Sequence, residues 1–150
     1  MDEQEIINTI INIFNGSDKQ DWDLVRNSFD FDVFIDYFSM SKVPGAKLKA
    51  DEIIKNWRDF LPKFKFTHHI ITNFEVATTA AAAEVFCKGY AMHHLPDAQG
   101  GDLWTTIGTY DFSVAKIADK WKVNRMVFNL LYEDGNKSLP AIAKEESLIP

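Results

Sequence analysis

A chain of 150 residues, 46% hydrophobic and 25% charged, can fill one core but is too short for two ordinary domains. Its net charge of −6, with no basic run, argues against nucleic-acid and anionic-membrane surfaces, because both need a positive patch to displace counterions. Cys87 is the one cysteine, which excludes an intramolecular disulfide and a cysteine-built zinc site and fits a reducing cytoplasm.

The N-terminal stretch MDEQEIINTIINIFNG carries acid before its apolar part and has no basic n-region, so it does not read as a secretory signal. No run of about 18 apolar residues exists to span a bilayer. Ile6, Ile7, Ile10, Ile11 and Phe14 stand at helical spacing, and Asn15-Gly16 reads as the stop of an amphipathic first helix. DWDLVRNSF predicts a short second helix with Trp22, Val25 and Phe29 on one stripe. VFIDYF, residues 33 to 38, predicts a strand, followed by a loop closed at Pro44-Gly45. ADEIIKNWRDF, with Ile53, Ile54, Trp57 and Phe60 on one side, predicts a third helix that stops before Pro62.

From Lys65 the period changes to two. Strands are expected at about 65–77, 82–94, 102–116 and 120–132, forming an antiparallel, strongly curved sheet on which the helices pack. The fold class is therefore α+β with helices first. Residues 1–136 are expected to form the single domain and 137–150 a C-terminal extension, because periodicity weakens from Glu133 onward.

All four histidines fall in two adjacent pairs on these strands, His68-His69 and His93-His94. Successive strand side chains point to opposite faces, so neither pair can share a site. One face of the second long strand presents Val85, Cys87, Gly89, Ala91 and His93. That row is unusually small, so either large side chains from elsewhere fill the space or a cavity remains there. The opposite face, Phe86, Lys88, Tyr90, Met92 and His94, suits a partly exposed surface or a subunit interface, and so an expected homodimer. Most of the rings of Trp57, Phe60, Phe64, Trp104, Tyr110 and Phe128 are expected in the core, some against the pocket. Trp121 is expected to pack on the sheet.

The order of motifs DWDLVR, FIDYF, LPKF, THHIITN, GDLWTTIGTYDF and WKVNRM resembles the SnoaL-like members of the nuclear transport factor 2-like superfamily, over the chain to about Asn136. The pocket residues are similar to those of scytalone dehydratase, a cofactor-free enzyme. The resemblance implies a cone-shaped sheet wrapped around a pocket and closed by the N-terminal helices. It places a catalytic aspartate at Asp18, a pocket tyrosine at Tyr37 and catalytic histidines at His69 and His93, with His68 and His94 facing outward. Ser17 stands where that enzyme has a second tyrosine, and Ile107-Gly108-Thr109-Tyr110 offers no counterpart to its pocket asparagine. Both departures turn attention away from scytalone itself.

An aspartate bonded to a histidine fixes the imidazole tautomer and raises its basicity, and Asp18 with His93 is the expected pair. His69, neutral, and Tyr37 would then steady an enolate across the pocket, with Ser17, Trp57, Cys87, Gly89, Ala91 and Tyr110 around a small hydrophobic molecule. Other roles remain open for the same residues. Asp18 could cap the second helix, Tyr37 could pack with one hydrogen bond, and either histidine could be satisfied by a backbone group. No HxH or HxxxH spacing supports a metal, and no organic cofactor is expected. The expected activity is that of a cofactor-independent lyase or isomerase on a carbonyl compound. The alternative is a non-catalytic ligand-binding or dimerisation protein of the same fold.

Overall fold

A computed structural model describes residues 2–146, so Met1 and residues 147–150 at the end of the expected extension lie outside it. The chain begins with helix α1 (Asp2–Lys19), whose acidic first turn suits the positive end of the helix dipole. Ile6, Ile10, Ile13 and Phe14 form its buried stripe. The helix does not stop at Asn15-Gly16. Gly16 is instead the point where helix α2 (Trp22–Ser28) crosses, and a Cβ there would sit 2.6 Å from Val25 Cγ2. The stop comes at Gln20, which adopts a φ of 58°. Asp21 N then donates to Gly16 O at 2.8 Å and Gln20 N to Ser17 O at 3.3 Å, the paired bonds of a Schellman ending. Asp21 caps α2, accepting from Leu24 N at 3.2 Å, so Asp18 is not the capping residue.

Strand β1 runs from Phe29 to Asp36, earlier than its apolar run suggested. Tyr37 therefore lies just past the strand, at the start of the one-turn helix α3 (Phe38–Ser41). The short strand β2 (Ala46–Lys49) was not foreseen, because AKLK is too short and too charged to show a period. Its lysines suit the sheet edge that it forms. Helix α4 (Ala50–Phe60) ends in a 3₁₀ turn, Leu61–Lys63, at Pro62.

Four long strands follow: β3 (Phe66–Thr78), β4 (Ala82–His94), β5 (Leu103–Ile117) and β6 (Lys120–Gly135). The six strands form one curled, unclosed sheet in the order β2-β1-β6-β5-β4-β3. Every pairing is antiparallel except β1 with β6, which is parallel. Bulges in β3 and between β5 and β6 bend the strands. The concave face meets α1, α2 and α4 around a core built on Ile10, Phe29, Phe112 and Met126.

The segment after β6 is tied down. Helix α5 (Leu139–Glu146) buries Leu139 and Ala143, four residues apart on one face, against Phe64, Leu95 and Trp104. Asn136 donates from its amide to Gln99 O at 3.1 Å and Gly101 O at 2.9 Å, which pins the loop between β4 and β5. Ile142 packs beside Leu139 and Ala143, so the face shows i, i+3, i+4 spacing, but one such repeat in eight residues is too little to establish a period in the sequence.

Candidate active site

Between the concave face and the helices lies a cavity of about 200 Å³. Its walls are mainly apolar, from Phe14, Met40, Trp57, Phe60 and Phe128, and a few polar groups converge on it from separate elements.

The final turn of α1 lies against the start of β3 and delivers Asp18 to Thr67 and His69, which share the inward face at a spacing of two. The Asp18 carboxylate accepts the Thr67 hydroxyl at 2.9 Å, the His69 backbone N–H at 2.7 Å and the His69 Nδ1–H at 2.7 Å. An ionised carboxylate only accepts, so Nδ1 carries a proton, and in the neutral ring Nε2 carries the lone pair. The ring lines the cavity with Phe14 at 5.4 Å, and among the described residues no hydrogen bond engages Nε2. The aspartate–histidine pair is therefore Asp18 with His69, not Asp18 with His93. The reason is the helix end: running three residues past Gly16, α1 carries Asp18 to β3, the edge strand, rather than to β4. A neutral His69 so held has no proton on Nε2 to offer an enolate oxygen, which overturns the expected division of labour.

His93 stands on β4, opposite Thr67, with its ring centroid 6.0 Å from that of His69. Its Nδ1 meets the carbonyl of its cross-strand partner Trp104 at 3.1 Å, and since a carbonyl only accepts, Nδ1 holds the proton here too. The Trp104 ring stacks on it at 4.2 Å. Burial pushes the imidazole down to about 4, His69 adds to that, and the Trp104 bond and Asp18 oppose it. His93 is thus neutral at pH 7, with Nε2 free to accept.

Tyr37 and Tyr110 lie together on the cavity wall, their hydroxyls interacting and both rings against that of Phe128. Burial drives both phenols well above the ordinary tyrosine range, so both remain donors. Ser17 also lines the cavity but turns its hydroxyl back to Ile13 O at 2.7 Å. Trp57 and Ala91 line it as well. Ala91 pairs with His69 across the strands, and its small side chain leaves room for the ring.

Cys87 and Gly89 do not belong to the lining. The Tyr110 ring lies over Gly89, where any Cβ would collide with it, and the Phe128 ring fills the same space over Gly108, the partner of Gly89. Cys87 is fully buried in the main core, and burial pushes its thiol up to about 12, with Asp111 adding to the effect. Half of the small-residue row thus accommodates two rings, and only its Ala91–His93 end opens on the cavity.

Thr106 is a lining residue missed in the sequence. It sits midway between Trp104 and the glycine at 108 on the inward face of β5, so the period of two was its available signal. Asp36 accepts from Phe38 N at 2.8 Å, away from the cavity. Among the described residues no group of three or more His, Cys, Asp or Glu side chains could hold a metal ion, and no helix is long and apolar enough to cross a membrane.

The model of one protein family, the SnoaL-like domain, matches residues 1–127. Among solved structures, the Kfla4162 protein of Kribbella flavida is 26% identical with a TM-score of 0.89, the match covering 93% of this chain and 97% of that one. A scytalone dehydratase-like protein of Novosphingobium aromaticivorans is 17% identical, with a TM-score of 0.76 over 90% of this chain and 87% of that one. The hexachlorocyclohexane dehydrochlorinase LinA-type3 of Novosphingobium barchaimii is 14% identical, with a TM-score of 0.72 over 90% of each chain. At that identity the last two speak to the fold alone. Comparison with curated proteins found no match. A curled sheet closed by N-terminal helices, matched over most of its length by one family model, places the chain in the SnoaL-like family of the nuclear transport factor 2-like superfamily.

Proposed function

We propose that the protein is a cofactor-independent lyase or isomerase acting on a small, mostly apolar carbonyl compound. The observation that carries this is the Asp18–His69 pair, which leaves an unpartnered imidazole lone pair facing an apolar cavity. Nε2 of His69 takes a proton from the carbon beside the carbonyl, and the Asp18 carboxylate stabilises the imidazolium that forms. The charge moves to the carbonyl oxygen, where the Tyr37 hydroxyl donates to it. In a dehydration the β-hydroxyl then leaves with its electron pair, taking the proton from the His69 imidazolium to become water and restoring the base. In an isomerisation the imidazolium returns that proton to another carbon. His93 accepts a hydrogen bond from a substrate hydroxyl and orients it. Ser17, Trp57, Ala91, Thr106 and Tyr110 shape the rest. Solved structures of the same fold include a scytalone dehydratase-like protein and dehydrochlorinases, which is in keeping with a lyase reading.

The test is exchange of the acidic C–H of ring-bearing ketones in D₂O, followed by NMR. Exchange that needs both His69 and Asp18 is expected. No exchange across a panel of ketones that demonstrably bind would overturn the catalytic reading in favour of a ligand-binding protein.

We further propose a cytoplasmic homodimer joined through the outer sheet face. Ile70, Tyr90, Ile107 and Tyr132 form one cross-strand row there, with Phe66 and Leu131 exposed beside it. Sedimentation should give a dimer that Tyr132→Asp separates, and a monomer at tens of micromolar would refute it.

A further inference from the structure

We infer that Glu133 is a positioning residue for the cavity, holding His93 in place through the Trp104 side chain. Three observations form the chain of contact. Glu133 Oε2 accepts the Trp104 indole N–H at 2.9 Å. The Trp104 ring stacks on His93 with centroids 4.2 Å apart and planes 29° apart. The Trp104 carbonyl then accepts the His93 Nδ1–H at 3.1 Å. Ring and carbonyl of one residue thus grip the imidazole from two sides, and Glu133 fixes the far end of that residue.

Trp104 is buried, as is His93. An indole N–H in such a place needs an acceptor, because leaving it unmade carries the full desolvation cost of the donor. Without the carboxylate the ring gains by turning its N–H toward water, and the stack over His93 opens. Glu133 lies beyond residue 127, where the family match ends, on the length of β6 that leads through Asn136 to α5. Leu139 and Ala143 of α5 press on the same Trp104. The end of the chain therefore supports the cavity, and it does so with residues outside the matched family region. The value of this support to catalysis rests on the function proposed above, but the contact itself does not.

The experiment is the NMR titration of His93 in the full chain, which needs no substrate. The other titratable groups acting on His93 are His69 on β3 and Asp18 on α1, both unchanged by substitutions at Glu133. Glu133→Ala should raise the His93 midpoint by one unit or more from about 4 toward 6.5, as water reaches the ring. Glu133→Gln, whose amide oxygen still accepts from the indole, should restore the low midpoint. Trp104→Phe breaks the same bond from the other side, so adding Glu133→Ala to it should move His93 no further. An unchanged midpoint in Glu133→Ala would overturn the inference. A lower midpoint would do so too, because loss of a nearby negative charge, not loss of the bond, moves it down. Failure of the Gln variant to rescue would likewise count against a hydrogen-bonded prop.

Discussion

Strands β3 and β4 each carry two histidines, and in each the sheet sends one inward and one outward. The inward members have their Nδ1 atoms held, His69 by a carboxylate from α1 and His93 by a carbonyl from β5. The outward members have no such support. His68 is exposed, and His94 lies against Phe66 with its Nδ1 buried and unpartnered. Residue type is therefore not what makes a site. A neighbouring element must supply the partner that chooses the tautomer, as α1 does for His69 and β5 for His93. The two inward rings differ in turn. His69 is held by a carboxylate that can stabilise an imidazolium formed during a reaction, whereas burial beside a neutral carbonyl leaves His93 without charge.

The largest expected effect that could break this contrast is at His69. His69→Ala should lower proton exchange on a bound ketone by about 100- to 10,000-fold, the usual contribution of a general base, while His68→Ala should leave it unchanged. Equal losses at the two positions would erase the distinction between the faces.

The second effect is on stability against pH. His93 binds its proton less tightly when folded, about 4 against 6.5, so between those values the unfolded chain holds more protons. The contribution is complete above pH 6.5, is lost progressively as pH falls to about 4, and changes no further below. The loss is about 3 kcal/mol by linkage. Chemical denaturation at stepped pH should show that slope in the native chain and a flatter one in His93→Phe. Identical slopes would mean that His93 is not buried neutral.

A smaller effect is expected from Asp18→Ala, which strips an acceptor from three donors and should destabilise the fold by about 1–3 kcal/mol. The smallest is His68→Ala, expected within about 0.5 kcal/mol of the native chain by the same denaturation measurement. A loss at His68 matching that at Asp18 would point to an outer face with structure of its own.

Much of this contrast was legible before any coordinates, because the direction of a strand side chain is a local property. The period of two separated His69 from His68 and His93 from His94, and located all four long strands. The partner of His69 was not legible. Asp18 is 51 residues away in sequence, and its position depends on where α1 stops. Asn15-Gly16 has the composition of a helix end, yet the glycine serves the close passage of α2. Only packing reveals that use. Gly89 and Cys87 teach the same lesson from the sheet: small side chains announce that something fits above them, but not whether it is a ligand or the ring of Tyr110. Tyr37, expected on a strand, reaches the cavity from the first residue after one.

The central claim is that Asp18 holds the Nδ1–H tautomer of His69, so that Nε2 faces the cavity as a base. Nitrogen-15 NMR of the histidine side chains, read on the neutral rings, tests it most directly. The neutral His69 ring should show an unprotonated Nε2, with a Nδ1 proton shifted downfield by the carboxylate and lost from that position in Asp18→Asn. A protonated Nε2, or a His69 signal indifferent to Asp18→Asn, would contradict it.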